Sequence, residues 1–185
     1  MSTANELQEQ GVKLFQEHDY TGAAELFRQA QEAYTAAGQT DMAAEMMVNI
    51  GLVHRALGEH DRAAALIQDA LNVFTAMGDD LRAAQALGNL GGVFAARGDK
   101  EQAMTCYRQA ADTFKELGEN RLYGETLLAL ADLQVRSGQI MTGAATYEAG
   151  LEHLERLSGP QKILRGLLDI RRRLIGSGAP PSDEA

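Results

Sequence analysis

Residues Leu87–Asp99 read LGNLGGVFAARGD, and Val48–Glu59, forty residues before Gly88–Asp99, reads VNIGLVHRALGE. The two align without a gap, and the register extends along the chain. A small residue stands at Gly11, Gly51, Gly91 and Ala131, and twelve residues on come Ala23, Ala63, Ala103 and Gly143. Four further on are Phe27, Ile67, Tyr107 and Tyr147, then Ala30, Ala70, Ala110 and Gly150. A fixed period of this size marks a repeat array, in which each unit buries its apolar face only by stacking on the next.

Within the second unit, Met47, Ile50, His54 and Leu57 share one helical face, with Gly51 on it as a point of close approach. Gly58 closes that helix. A second helix carries Ala63, Ile67, Ala70, Leu71 and Phe74, and ends at Gly78, with Asp80 expected to cap the next. The third unit repeats the scheme with Leu87, Leu90, Phe94 and Gly98, then Ala103, Tyr107, Ala110, Phe114 and Gly118, and with Asn120 as the next cap. His18 stands where the other units have glycine. Gly124, Gly143 and Gly150 occupy alanine positions of the fourth unit, and glycine within a helix costs roughly 1 kcal/mol against alanine, so this unit is expected to be the least stable.

The ordered set Leu87, Gly91, Phe94, Ala103, Tyr107 and Ala110, with its counterparts, resembles the tetratricopeptide repeat (TPR) family. The period is longer than that family's usual one, about 34 residues, and is most similar to the forty-residue variety of Leu-Gly-Asn repeat proteins and kinesin light chains. The resemblance implies an all-α, right-handed α-solenoid of four hairpins, with repeats at about 4–40, 41–80, 81–120 and 121–159. Residues 160–175 continue the apolar periodicity, but Arg171 replaces the small residue, which suits a capping helix closing a single domain over 1–175. The last stretch, 176–185, reads GSGAPPSDEA and is expected to be a disordered tail.

The net charge is −9, yet residues 160–175 alone carry +4. An acidic body repels phosphate backbones, which argues against nucleic acid as a partner. No run approaches the roughly 20 apolar residues that span a bilayer, and the first ten residues do not read as a secretory signal. With a single cysteine, Cys106, the expectation is a cytoplasmic protein without a membrane role.

No catalytic constellation is present in the sequence, and no enzyme activity, cofactor or metal is expected. His18, His54, His60 and His153 form no pair at ligand spacing. His54 replaces Leu14 and Phe94 of sister repeats, which reads as a packed or hydrogen-bonded histidine. Glu125 and Asp132 lie two turns apart on one helix, a spacing ordinarily of solvated charge.

The resemblance further implies that the first helix of each hairpin lines a concave groove. By register the groove residues are Glu45, Val48, Asn49, Leu52 and Arg55, then Gln85, Gly88, Asn89 and Gly92, then Glu125, Leu128 and Asp132. Asn49 and Asn89 hold one place in consecutive repeats, and the family resemblance implies a peptide-backbone contact for amides there. The alternative is that they bond neighbouring helices. Gly88 and Gly92 leave a shallow floor, and Val48, Leu52 and Leu128 make it partly apolar. Some family members grip a C-terminal carboxylate through lysines, but the matching places here are Gln8, Val12, Gln85 and Asn89. Glu45, Glu125 and Asp132 favour a ligand with basic residues. The expected function is an adaptor or scaffold module binding an extended or helical segment of another protein. The alternative is a structural protein that self-assembles into homo-oligomers through its ends or its cap.

Overall fold

The structure, a computed structural model, describes residues 3–154 together with Gly159, Gln161, Lys162 and Gly166. Every regular element among these residues is an α-helix: α1 (Ala4–Gln16), α2 (Tyr20–Ala36), α3 (Thr40–Ala56), α4 (His60–Met77), α5 (Asp80–Arg97), α6 (Lys100–Leu117), α7 (Asn120–Arg136) and α8 (Ile140–Glu152). They pair as antiparallel hairpins in an all-α fold of the α-solenoid class. Of the expected capping helix, 160–175, only Gln161, Lys162 and Gly166 are among the described residues, and the expected tail, 176–185, lies outside them.

One turn joins every pair of successive helices. Gly38, Gly58, Gly78, Gly98, Gly118 and Gly138 all take positive φ, twenty residues apart, and His18 occupies the first such place at φ 64°. The residue after each turn donates its N–H to a carbonyl five residues back, as in Glu59 to His54 and Asp79 to Phe74, both at 2.9 Å. This is the Schellman closure, which needs a left-handed residue that only glycine supplies without steric cost. The turn therefore recurs every twenty residues, half the period visible in the side-chain pattern.

The cap falls one residue earlier than expected. Asp79 accepts from the Arg82 N–H at 2.9 Å, and Asp19 accepts likewise from Gly22. Asp80 and Asn120 are instead the first residues of α5 and α7. The left-handed glycine is followed directly by the cap, leaving no spacer. Thr3 and Glu6 close α1 with a reciprocal capping box.

The chain divides into two compact units, Met1–Glu119 and Asn120–Ala185. In the first, Ala23, Phe27, Tyr34, Met46, Ile50 and Val53 pack α1, α2 and α3 together. A second cluster of Ala44, Val48, Ile67, Phe74, Leu90 and Val93 joins α3, α4, α5 and α6. Leu57, assigned by spacing to the packed face, is 49% exposed, since the last turn before the glycine overhangs the core. In the second unit α7 and α8 approach through glycines. A Cβ built on Gly124 would lie 2.8 Å from the Gly150 carbonyl oxygen, and one on Gly143 would lie 3.0 Å from that of Ala131. Alanine's advantage in helix propensity is thus not available at these positions without moving a helix.

Arg82 ties three helices together. Its guanidinium bonds Asp79 and reaches Asp41 on α3 at 3.1 Å while lying 5.2 Å over the Phe74 ring of α4. The Asp41 carboxyl is held below its ordinary range chiefly by the Arg82 side chain, and that of Asp79 chiefly by the Arg82 N–H. Carboxyls depressed in the folded state add stability above the unfolded pKa, about 3.9, and lose it as pH falls through the folded value. The stability gap between wild type and Arg82→Met should thus be widest near neutral pH and shrink below about pH 4. Urea midpoints across that range check this, and a gap independent of pH would contradict it.

Candidate functional site

In the first unit α3 and α5 touch directly. On the opposite side α4 and α6 stand apart across a cleft of about 520 Å³, floored by Leu87, Leu90 and Phe94 of α5. The first helices of this unit, α3 and α5, therefore form its tighter face, and the expected groove residues that these two helices carry are partly or fully exposed, with one exception.

Val48 is that exception. It is 9% exposed and packed in the cluster with Phe74, so it belongs to the core and not to the groove floor. The helical register gave its direction to within a residue. The neighbouring hairpin then closed over it, because α5 leans on α3. Leu52 is half-buried against the same cluster.

Glu45 is half-buried and already engaged. Gln8 of α1 donates to it at 2.9 Å, and the Tyr34 hydroxyl of α2 donates to Gln8 at 2.8 Å. Burial raises the Tyr34 pKa, and the charges of Glu45 and Glu9 push it the same way. This chain of three was not visible beforehand. Its signal was that Tyr34 and Gln8 stand where the next repeat has Phe74 and Val48. One hairpin junction is polar where its successor is apolar.

Asn49 and Asn89 are both half-buried, and neither amide has a hydrogen-bond partner among the described residues. The alternative of amides bonding neighbouring helices therefore finds no bond to rest on. Gln85 beside them is exposed, and a Cβ on Gly88 would meet nothing within 4 Å. Gly92 is different, for its floor is already covered. The Arg55 Nη1 lies 2.6 Å from the place a Gly92 Cβ would take.

In the second unit the acidic residues are paired along their own helix. Arg121 bonds Glu125 at 2.7 Å, and Arg136 lies 3.0 Å from Asp132. Both pairs are exposed, the kind that contributes ~0–1 kcal/mol. Half-buried Leu128 lines a cleft of about 740 Å³ with Arg121, Glu125, His153 and Leu154.

Elsewhere, His54 is engaged by Glu59, Nδ1 to Oε2 at 2.6 Å, and this bond holds the Glu59 carboxyl below its ordinary range with help from Arg62. Cys106 is buried, and burial pushes its thiol up. Among the described residues no three histidines, cysteines or carboxylates gather as a metal site, and no helix is long and apolar enough to cross a membrane.

Val48→Ala should cost about 1.5–3 kcal/mol of stability, the value of a buried valine, whereas Asn49→Ala should stay within about 0.5 kcal/mol. Urea unfolding of the two variants checks the division between core and face. Equal losses would contradict it.

A family model described as soluble NSF attachment protein, SNAP, matches residues 1–154. No curated protein sequence matches. Among solved structures the chain is similar to BtubC (BKLC) from P. vanneervenii, at 17% identity and TM-score 0.73, over 98% of this chain and 84% of that one. It is similar to aspartyl phosphate phosphatase F from Bacillus subtilis, at 15% identity and TM-score 0.78, over 93% of this chain and 50% of that one. A Rap protein complexed with Competence and Sporulation Factor matches at 16% identity and TM-score 0.77, over 95% and 49% of the respective chains. The chain spans about half the length of these last two. At such identities the likeness shows a shared helical-repeat fold.

Proposed function

Because this chain belongs to the soluble NSF attachment protein family, we propose that it is an adaptor that holds a segment of another protein against the face of α3 and α5. The observation that carries this reading is the pair Asn49 and Asn89, half-buried amides with no hydrogen-bond partner among the described residues, at equivalent places on α3 and α5. An amide offers both a donor and an acceptor, which suits a peptide backbone crossing the helices. The family's description as an attachment protein and the capture of a second factor by one structural neighbour support the same class of function.

On this reading the segment is extended or helical and carries basic residues toward Glu45 and Glu9. Their negative field is already felt at Tyr34. The protein works without catalysis, cofactor or metal, in the cytoplasm. We keep the forty-residue spacing as a likeness to the Leu-Gly-Asn and kinesin light chain type of repeat. Self-association is the second reading, and size-exclusion chromatography with light scattering at two salt concentrations separates it from a monomeric adaptor.

Peptides selected on the chain from a displayed random library are the probe. Asn49→Ala with Asn89→Ala should weaken them by about 1–3 kcal/mol, the cost of unsatisfied backbone groups. The melting temperature should not fall, since alanine is the better helix former. Arg108→Ala, on exposed surface of α6, should leave affinity unchanged. Peptides indifferent to the asparagines but lost with Arg108 would move the working face to the second helices.

A further inference from the structure

Among the described residues, Arg55 on the face of α3 and α5 is a cation that no ion pair of the fold uses. Arg82 and Arg97 each bond two aspartates, Asp79 and Asp41 for the first, Asp61 and Asp99 for the second. Arg28, Arg62, Arg121 and Arg136 each meet a carboxylate on their own helix or cap. Among the described residues Arg55 and Arg108 meet none; Arg108 is exposed on α6, whereas Arg55 is half-buried, in a chain with 26 acidic residues to 17 basic ones. A guanidinium stays charged at any physiological pH and presents donors in a fixed fork that fits a carboxylate. Leaving it half-desolvated without an anion forfeits that attraction.

The place is built by two departures from the repeat. Arg55 stands where the other repeats have Phe15, Ala95 and Val135, and Gly92 stands where they have Val12, Leu52 and Asp132. The two departures meet. Arg55 Nη1 lies 2.6 Å from the Cβ position of Gly92, so any side chain at 92 would push the guanidinium off α5. The Tyr107 hydroxyl of α6 lies 3.6 Å from the same point. Glu45, the acidic residue of this face on the same helix, sits ten residues up α3, about 15 Å by helical rise, and is bonded by Gln8. It does not neutralise Arg55.

We propose that Arg55, seated over Gly92, receives the side-chain carboxylate of an aspartate or glutamate in the bound segment. The inference rests on the binding reading above and adds direction to it. A side chain suits the place better than a chain terminus, because a single arginine with no lysine on the face offers one fork and no second cation. The segment then lies with its acidic residue at the C-terminal end of α3 and its basic residues near Glu45. A span of about 15 Å is bridged by about four or five extended residues or about ten helical ones.

The test uses the full chain and random peptides displayed through their C-termini, so that only side-chain carboxylates are offered. Wild-type binders should share one Asp or Glu position, and on Arg55→Glu that position should turn to Lys or Arg. A synthetic binder should lose about tenfold in affinity on Arg55→Gln, the scale of one charge-assisted hydrogen bond. Replacing its acid by the amide should cost as much on wild type and little more on Arg55→Gln. Melting curves of both variants should match wild type. Binders without a shared acidic position, or with the same preference on Arg55→Glu, would overturn the proposal. So would synthetic peptides that bind only with a free C-terminal carboxylate, or only when phosphorylated. Should such binders still depend on Asn49 and Asn89, the adaptor reading stands and the Arg55 assignment alone fails. Peptides indifferent to all three residues, or no binders at all, would end both.

Discussion

The structure depends on how closely the two helices of each hairpin can pass. At the crossing one partner is glycine and the other alanine: Gly51 with Ala63, Gly91 with Ala103, and, reversed, Ala131 with Gly143. An added Cβ would lie 3.2 Å from the Ala63 carbonyl oxygen at Gly51, and 3.3 Å from that of Ala103 at Gly91. The ring or branch one turn further on fills what remains. Tyr107 Cδ1 would be 2.9 Å from a Cβ on Gly91, and Ile67 Cγ1 2.6 Å from one on Gly51. A single methyl between the backbones sets the spacing, and in an interior packed like an organic crystal an extra one must displace something.

With that spacing fixed and one turn repeated every twenty residues, neighbouring hairpins differ in little but their side chains. The α3 and α5 face can then carry residues the fold does not need. Among the described residues no bond uses Asn49, Asn89 or Arg55, while Val48 of α3 is consumed by the core. The division follows from position on the helix: residues turned toward the adjacent hairpin are buried, and those one step around are left to a partner.

The repeat, the helix type and the glycine-marked ends could be read from Leu87–Asp99 and its counterparts, because spacing and turn chemistry act locally. The twenty-residue half-period was equally present in Gly38, Gly58, Gly78, Gly98, Gly118 and Gly138, but the apolar pattern of first and second helices differs and hid it. Cap positions shifted by one, since only backbone geometry separates Asp79 from Asp80. Val48 was misplaced because burial at a helix flank depends on how near the next hairpin leans. The engagement of Glu45, Glu125 and Asp132 by Gln8, Arg121 and Arg136 rests on rotamers that a sequence does not print. Gly124, Gly143 and Gly150 looked like weaknesses, yet each stands where a backbone carbonyl of the partner helix comes close.

The direct test of the single-methyl constraint is to give the third hairpin the order found in the fourth, which holds Tyr147 in the place of Tyr107. Gly91→Ala alone should destabilise by about 1–3 kcal/mol despite alanine's helix propensity, and Ala103→Gly alone by about 1 kcal/mol or more. In urea unfolding of the four proteins of this cycle, the double variant should be more stable than Gly91→Ala alone, with a coupling of about 1 kcal/mol or more. Losses that simply add, within about 0.3–0.5 kcal/mol, would show that the two positions do not share one space and would contradict the account.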